Sequence, residues 1–169
     1  MDEKGEESSG LIVQEITKQQ KDIKYRAKRI PSSLYLQNKG LKGEELETAL
    51  SEVSGEQLFY FEFEEVLKQD LVKKYFQENT DQTIAYLSFD IYNDFKLINA
   101  KGDTIDSDYS VYERNFHLAP CERILLSFSG IDPDEEVQLV YIDRLFGRGK
   151  FDFAFASTNY INNNIKNPS

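Results

Sequence analysis

The sequence predicts an α+β domain built mainly from antiparallel strands, with two or three short helices in its N-terminal half. Three stretches carry that prediction. Phe151, Phe153 and Phe155 alternate with Asp152 and Ala154, and the strand-like run 137–143 precedes them across Gly147 and Gly149. A period of two marks a strand with one face buried, and the glycines suit a hairpin turn that needs positive φ. A second alternation sets Phe59, Phe61 and Phe63 against Leu58, Tyr60 and Glu62, which predicts a strand over 57–63. Leu46, Ala49, Leu50 and Val53 fall at i, i+3, i+4 and i+7, which predicts a helix over 43–53 that Gly55 stops.

Taken in order, residues 1–10 are charged and small and read as a tail. Over the stretch that begins at Leu11 the apolar residues Ile12, Ile16, Ile23, Ala27 and Ile30 have rough helical spacing, while Leu11-Ile-Val13 equally suits the start of a strand. Lys18, Lys21, Lys24, Arg26, Lys28 and Arg29 make this stretch basic, and it is read as a solvated helix face. The alternative is a contact with an acidic membrane surface or with an acidic face of the same domain. Pro31 ends the pattern. After the 57–63 strand, Leu67, Leu71, Val72, Tyr75 and Phe76 predict a short helix ending near Asn79.

From residue 82 onward continuous sheet is expected. Residues 83–91 read as one strand, interrupted at 92–94 and resumed at 95–98. Residues 99–103 form a turn with Gly102 at positive φ. Strands follow at 110–116 and 123–129, then the acidic loop 130–136, then the hairpin. Residues 11–158 are thus expected to form one globular domain, with an Asn-rich loose tail over 159–169.

The net charge of −10 repels phosphate, which argues against nucleic acid as a partner. The single cysteine, Cys121, rules out an internal disulfide. No apolar run is long enough to span a bilayer as a helix. His117 is the only histidine and lies four residues from Cys121. It is read as a strand-end residue, since a Cys–His nucleophile needs converging side chains and a zinc site needs more ligands. Two loops concentrate oxygen ligands: Asp103, Asp106 and Asp108 in one, Asp132, Asp134, Glu135 and Glu136 in the other. Calcium chemistry is weighed there and a solvated loop preferred, because neither follows the twelve-residue ligand pattern. Asp143 shares a strand face with Leu139 and Tyr141, so it needs a partner, with Arg148 or Arg123 as candidates. No catalytic, cofactor-binding or metal-binding residues are assigned.

Phe95-Lys-Leu97, Gly102-Asp103, Leu118-Ala-Pro120, Cys121-Glu122, Ile124 to Phe128 and Leu139-Val-Tyr141 follow one another in an order that resembles a known family. That family is the immunoglobulin-like β-sandwich of small secreted or lipid-anchored bacterial proteins, over residues 82–142. Cys121 stands where the family pattern more often has glycine. The resemblance implies an envelope location and binding through loops rather than catalysis. Residues 1–10 likewise resemble the tether that follows the lipidated cysteine of mature bacterial lipoproteins. The expectation is therefore a non-enzymatic binding or structural module of the bacterial cell envelope. It would have a protein partner of unknown identity and touch membrane only through a lipid anchor, on a signal sequence preceding this chain. The competing expectation is a small acidic inhibitor or immunity-type protein that covers a basic partner in the cytoplasm.

Overall fold

The computed structural model describes residues 13–52, 55–115, 120–132 and 134–157. Among them nine strands pair antiparallel into two sheets. The five-stranded sheet runs, edge to edge, β1 (Gln14–Gln20), β2 (Ile23–Ile30), β3 (Glu56–Glu65), β7 (Cys121–Ser129) and β6 (Tyr109–Glu113). The four-stranded sheet runs β5 (Thr104–Asp106), β4 (Phe95–Ile98), β8 (Val137–Asp143) and β9 (Gly149–Phe155). Helices α1 (Ser32–Asn38) and α2 (Gly43–Glu52) join β2 to β3. Helices α3 (Leu71–Phe76) and α4 (Thr80–Ala85) follow β3, then a π-helical turn over Tyr86–Asp90 and a 3-10 turn over Ile91–Asp94.

The alternating sequences explain the core. Ile23, Tyr25 and Ala27 of β2 and Phe59, Phe61 and Phe63 of β3 are buried on one face of the larger sheet. Phe95, Leu139, Tyr141, Phe153 and Phe155 are buried on the facing side of the smaller one. Ring contacts cross between them: Phe61 lies 4.9 Å from Phe95, 4.8 Å from Tyr141 and 5.5 Å from Phe153, centroid to centroid. Offset and edge-on pairs at such spacing add to the area term. The hairpin 137–155 forms as its pattern predicts, with Asp143 opposite Gly149 and both Gly147 (φ 70°) and Gly149 (φ 90°) in the left-handed region. Phe151 is half-buried.

Two expectations are corrected. The stretch 14–30 is a β-hairpin, not a helix, closed by a two-residue turn with Lys21 at φ 55°. Ile23-Lys-Tyr-Arg-Ala-Lys28 alternates strictly, with the buried members facing the core and Lys24, Arg26 and Lys28 facing out. The basic cluster is thus divided over the hairpin, with Lys18 on β1, Lys21 in the turn, Lys24, Arg26 and Lys28 outward on β2, and Arg29 buried. Residues 83–91 are helical, not extended. The buried positions there are Thr83, Leu87 and Ile91, one every four residues, which is a helical stripe. Phe89 is 73% exposed. Residues 1–10, Val53, His117 and 159–169 lie outside the described residues.

Phe61→Ala should cost about 3–5 kcal/mol in chemical denaturation, as expected for a large aromatic removed from a packed core. Phe89→Ala should stay within about 0.5 kcal/mol of the parent. Equal effects would contradict the helical assignment of 83–91.

Candidate functional site: a groove on the outer face of the five-stranded sheet

The face of the larger sheet turned away from the core is unusually ordered by charge. Register places Arg26 (β2), Glu62 (β3), Arg123 (β7) and Glu113 (β6) side by side across four strands. Alternating signs make each cross-strand neighbour an attractive pair. Glu62 is the hub: Arg26 Nη1 donates to its Oε1 at 2.9 Å, Arg123 Nε to its Oε2 at 2.7 Å, and Lys28 Nζ to its Oε2 at 3.4 Å. Burial pushes the Glu62 carboxyl up, but the Arg26 hydrogen bond and the charges of Arg123 and Lys28 outweigh that and hold it below its ordinary 4.5.

The next row across the same strands is Lys28, Tyr60, Leu125 and Val111. Tyr60 carries the Arg123 guanidinium over its ring, 4.8 Å from the centroid. Burial and then the Glu113 carboxylate push the Tyr60 hydroxyl up, so it stays protonated and donates to Glu113 Oε2 at 3.2 Å. Ile30, Leu58 and Leu125 form a small apolar cluster on this face, with Tyr35 and Tyr60 packed against it.

Helix α1 supplies the remaining wall. Pro31 holds the extended conformation that starts it, and Tyr35 N–H bonds back to the Pro31 carbonyl at 3.1 Å. It ends in paired bonds, Leu41 N–H to Leu36 O and Gly40 N–H to Gln37 O, with Gly40 at φ 91°. That closure needs a left-handed residue, which glycine supplies. Tyr35 is thereby set 6.4 Å from the Tyr60 ring, and Lys39 Nζ lies over the Tyr35 ring at 5.4 Å. Between helix and sheet runs an open groove of about 560 Å³, with Tyr35 and Tyr60 in its lining and Lys28, Lys39 and Arg123 around them. Arg123 is anticipated only as a partner for Asp143, and Lys28 only as a member of the basic cluster. Tyr35, Lys39 and Tyr60 were missed as site residues, although Pro31 and Gly40 bracket α1 as start and stop signals do.

The residues that sequence reasoning singled out fall elsewhere. Asp143 is buried, as its position beside Leu139 and Tyr141 implies, but neither proposed arginine neutralises it by side-chain pairing. Its carboxylate instead accepts from Tyr25 Oη at 2.6 Å, Tyr141 Oη at 3.1 Å, Phe146 N–H at 2.9 Å and Arg148 N–H at 3.3 Å. The Arg148 guanidinium turns to Asp22 at 3.0 Å and to the Gln20 carbonyl. Burial, with Glu62 next, pushes the Cys121 thiol up, so it is protonated at neutral pH. In the acidic loops, Asp106 pairs with Lys96 at 2.6 Å, and Glu135 accepts from the Asp132 and Ala100 amides. Among the described residues no group of three or more His, Cys, Asp or Glu is placed to hold a metal ion.

Asp94 is a buried carboxyl that the sequence did not flag. Only 3% exposed, it lies 3.7 Å from the Arg144 guanidinium, and its Oδ2 meets no donor among the described residues. Burial raises its pKa to about 6; Arg144 opposes the rise and the Asp143 charge adds to it. No protein-family model, curated protein or solved structure matches the chain.

Asp94 and Glu62 should leave opposite marks on stability against pH. Asp94 binds its proton more tightly folded than unfolded, so its contribution is full below about 3.8 and falls as pH rises through about 6. Asp94→Asn should therefore stabilise the protein at pH 7, by about 1–3 kcal/mol, and change little near pH 3.5. Glu62 has the reverse sign: its contribution is full above 4.5 and is lost as pH falls through the lower folded value. Glu62→Gln should be destabilising at pH 7 and converge with the parent in acid. Urea titrations across pH read both. Parallel curves for Asp94→Asn and its parent would refute the burial argument.

Proposed function

We propose that this chain is a non-enzymatic binding module that takes its ligand in the groove between α1 and the five-stranded sheet. The observation that carries the reading is the groove itself: two tyrosine rings, each with a cation over it, beside an open volume of about 560 Å³. Ligand sites fall in the range of about 300–1,000 Å³ and combine apolar walls with a few placed polar groups. The immunoglobulin-like sandwich remains part of the proposal: two antiparallel sheets with facing aromatic layers support it. The envelope location is proposed on the family resemblance and on the tether-like composition of residues 1–10.

A second reading, an acidic protein that covers a basic partner, is favoured by α2. That helix carries Glu44, Glu45, Glu47 and Glu52, has no Lys or Arg, and buries none of its residues.

Amide-detected NMR of the full chain against a mixed small-fragment library separates the readings. Hits that move the amides of Lys28, Tyr60 and Arg123, and are lost in Tyr60→Ala, are expected. Hits that map to other surfaces, with the groove silent, would overturn the groove reading. Fractionation of the natural source should place the protein with membranes, and wholly cytosolic protein would refute the envelope location.

A further inference from the structure

We propose that the groove selects a small organic anion with a flat apolar body, of the aryl-alkyl carboxylate class. This rests on the binding-module reading and adds the chemistry of the ligand. The charged residues lining the groove are Lys28, Lys39 and Arg123 against Glu113, three cations to one carboxylate, or +2. The whole chain has net charge −10, so the groove is a positive recess in a negative molecule. A neutral or cationic ligand gains nothing from that contrast, whereas an anion is drawn to such a recess.

Glu62 beneath the groove draws on two of the three cations: nearly fully buried, it pairs with Lys28 and Arg123 as well as with Arg26, which it shares with Glu15 and Glu64. Glu113 accepts the Tyr60 hydroxyl and stands 3.9 Å from Arg123. Lys39 is exposed at the end of α1 over Tyr35, and no carboxylate lies within ion-pair distance of it among the described residues. Lys28 and Lys39 approach from opposite walls, one on the sheet and one on the helix.

The body of the ligand follows from the rest of the lining. Ile30, Leu34, Tyr35, Tyr60 and Val111 present apolar surface and two ring faces. The Arg123 guanidinium sits over the Tyr60 ring, 4.8 Å from its centroid, so the groove offers a planar ligand a guanidinium and tyrosine rings to stack on. A head group between the lysines and a ring over the tyrosines use both halves of the groove.

The test titrates the full chain with 4-phenylbutyrate and with its neutral counterpart 4-phenylbutan-1-ol, following amide shifts. The carboxylate should bind about tenfold more tightly than the alcohol, the size of one well-placed charge contact. That advantage should shrink as salt shortens the reach of the field to a few ångströms. Lys39→Gln and Lys28→Gln should each remove most of the advantage while leaving alcohol binding unchanged, and Lys101→Gln, on a distant turn, should alter neither. Equal affinity for the two probes overturns the anion proposal and leaves the groove reading standing. Shifts confined to other surfaces overturn both. No shift with either probe overturns the proposal, and the fragment library then judges the groove on its own.

Discussion

Phe61, at the middle of β3, touches rings on three strands of the opposite sheet, and that contact sets the register on which the outer face depends. Side chains alternate along a strand, so the backbone that buries Phe59, Phe61 and Phe63 necessarily turns Tyr60, Glu62 and Glu64 outward. A slip of one residue would bring Glu62 into an aromatic layer and put Phe61 in the groove. Burying an unpaired carboxylate there is prohibitive. The core and the outer charge row thus specify the same register from opposite sides, and neither can change alone.

Polar groups fix the two sheets to each other at the rim of that layer. Near the end of the hairpin, Tyr25 of β2 donates to Asp143 of β8, which gathers two hydroxyls and two amides. At the other end Arg29 of β2 donates to Gln57 and to the Glu135 carbonyl. An apolar layer alone tolerates sliding, because the hydrophobic effect has no direction. A buried carboxylate and a buried guanidinium do have direction, and leaving either without partners costs several kcal/mol in a site of low dielectric (on the order of 2–5). Their positions at opposite ends of β2 hold the angle between sheets.

Much of this was legible where the chemistry is local. The hairpin 137–155 could be read from three phenylalanines and two glycines, and α2 from four apolar positions. The helix at 83–91 is hard to tell from a strand in sequence, because Thr83, Leu87 and Ile91 satisfy both a period of two and a spacing of four. The strand at 23–30 was legible and overlooked: Lys24, Arg26 and Lys28 face outward between Ile23, Tyr25 and Ala27, and this run of cations hid the alternation. The groove was not legible, because Lys28, Tyr60, Arg123 and Val111 meet only through strand pairing across separations of more than thirty residues in most pairs. Asp94 escaped notice for a related reason, since its burial comes from packing of the 3-10 turn rather than from any pattern in sequence.

The two walls of the groove differ in how firmly they are held. The sheet wall is rigid: Glu62 fixes Arg123 and Lys28, Arg123 lies on Tyr60, and the strand ladders lock all four residues. Groups already ordered lose little further entropy when a ligand arrives, so their geometry can discriminate. The helix wall rests on Tyr35 and Leu36, and beyond it α2 buries no residue of its own. Segments with little buried surface open at low free energy. In the proposed binding role, ring and cation geometry on the sheet would govern which ligand fits. The position of α1, with Lys39 at its end, sets how wide the groove is.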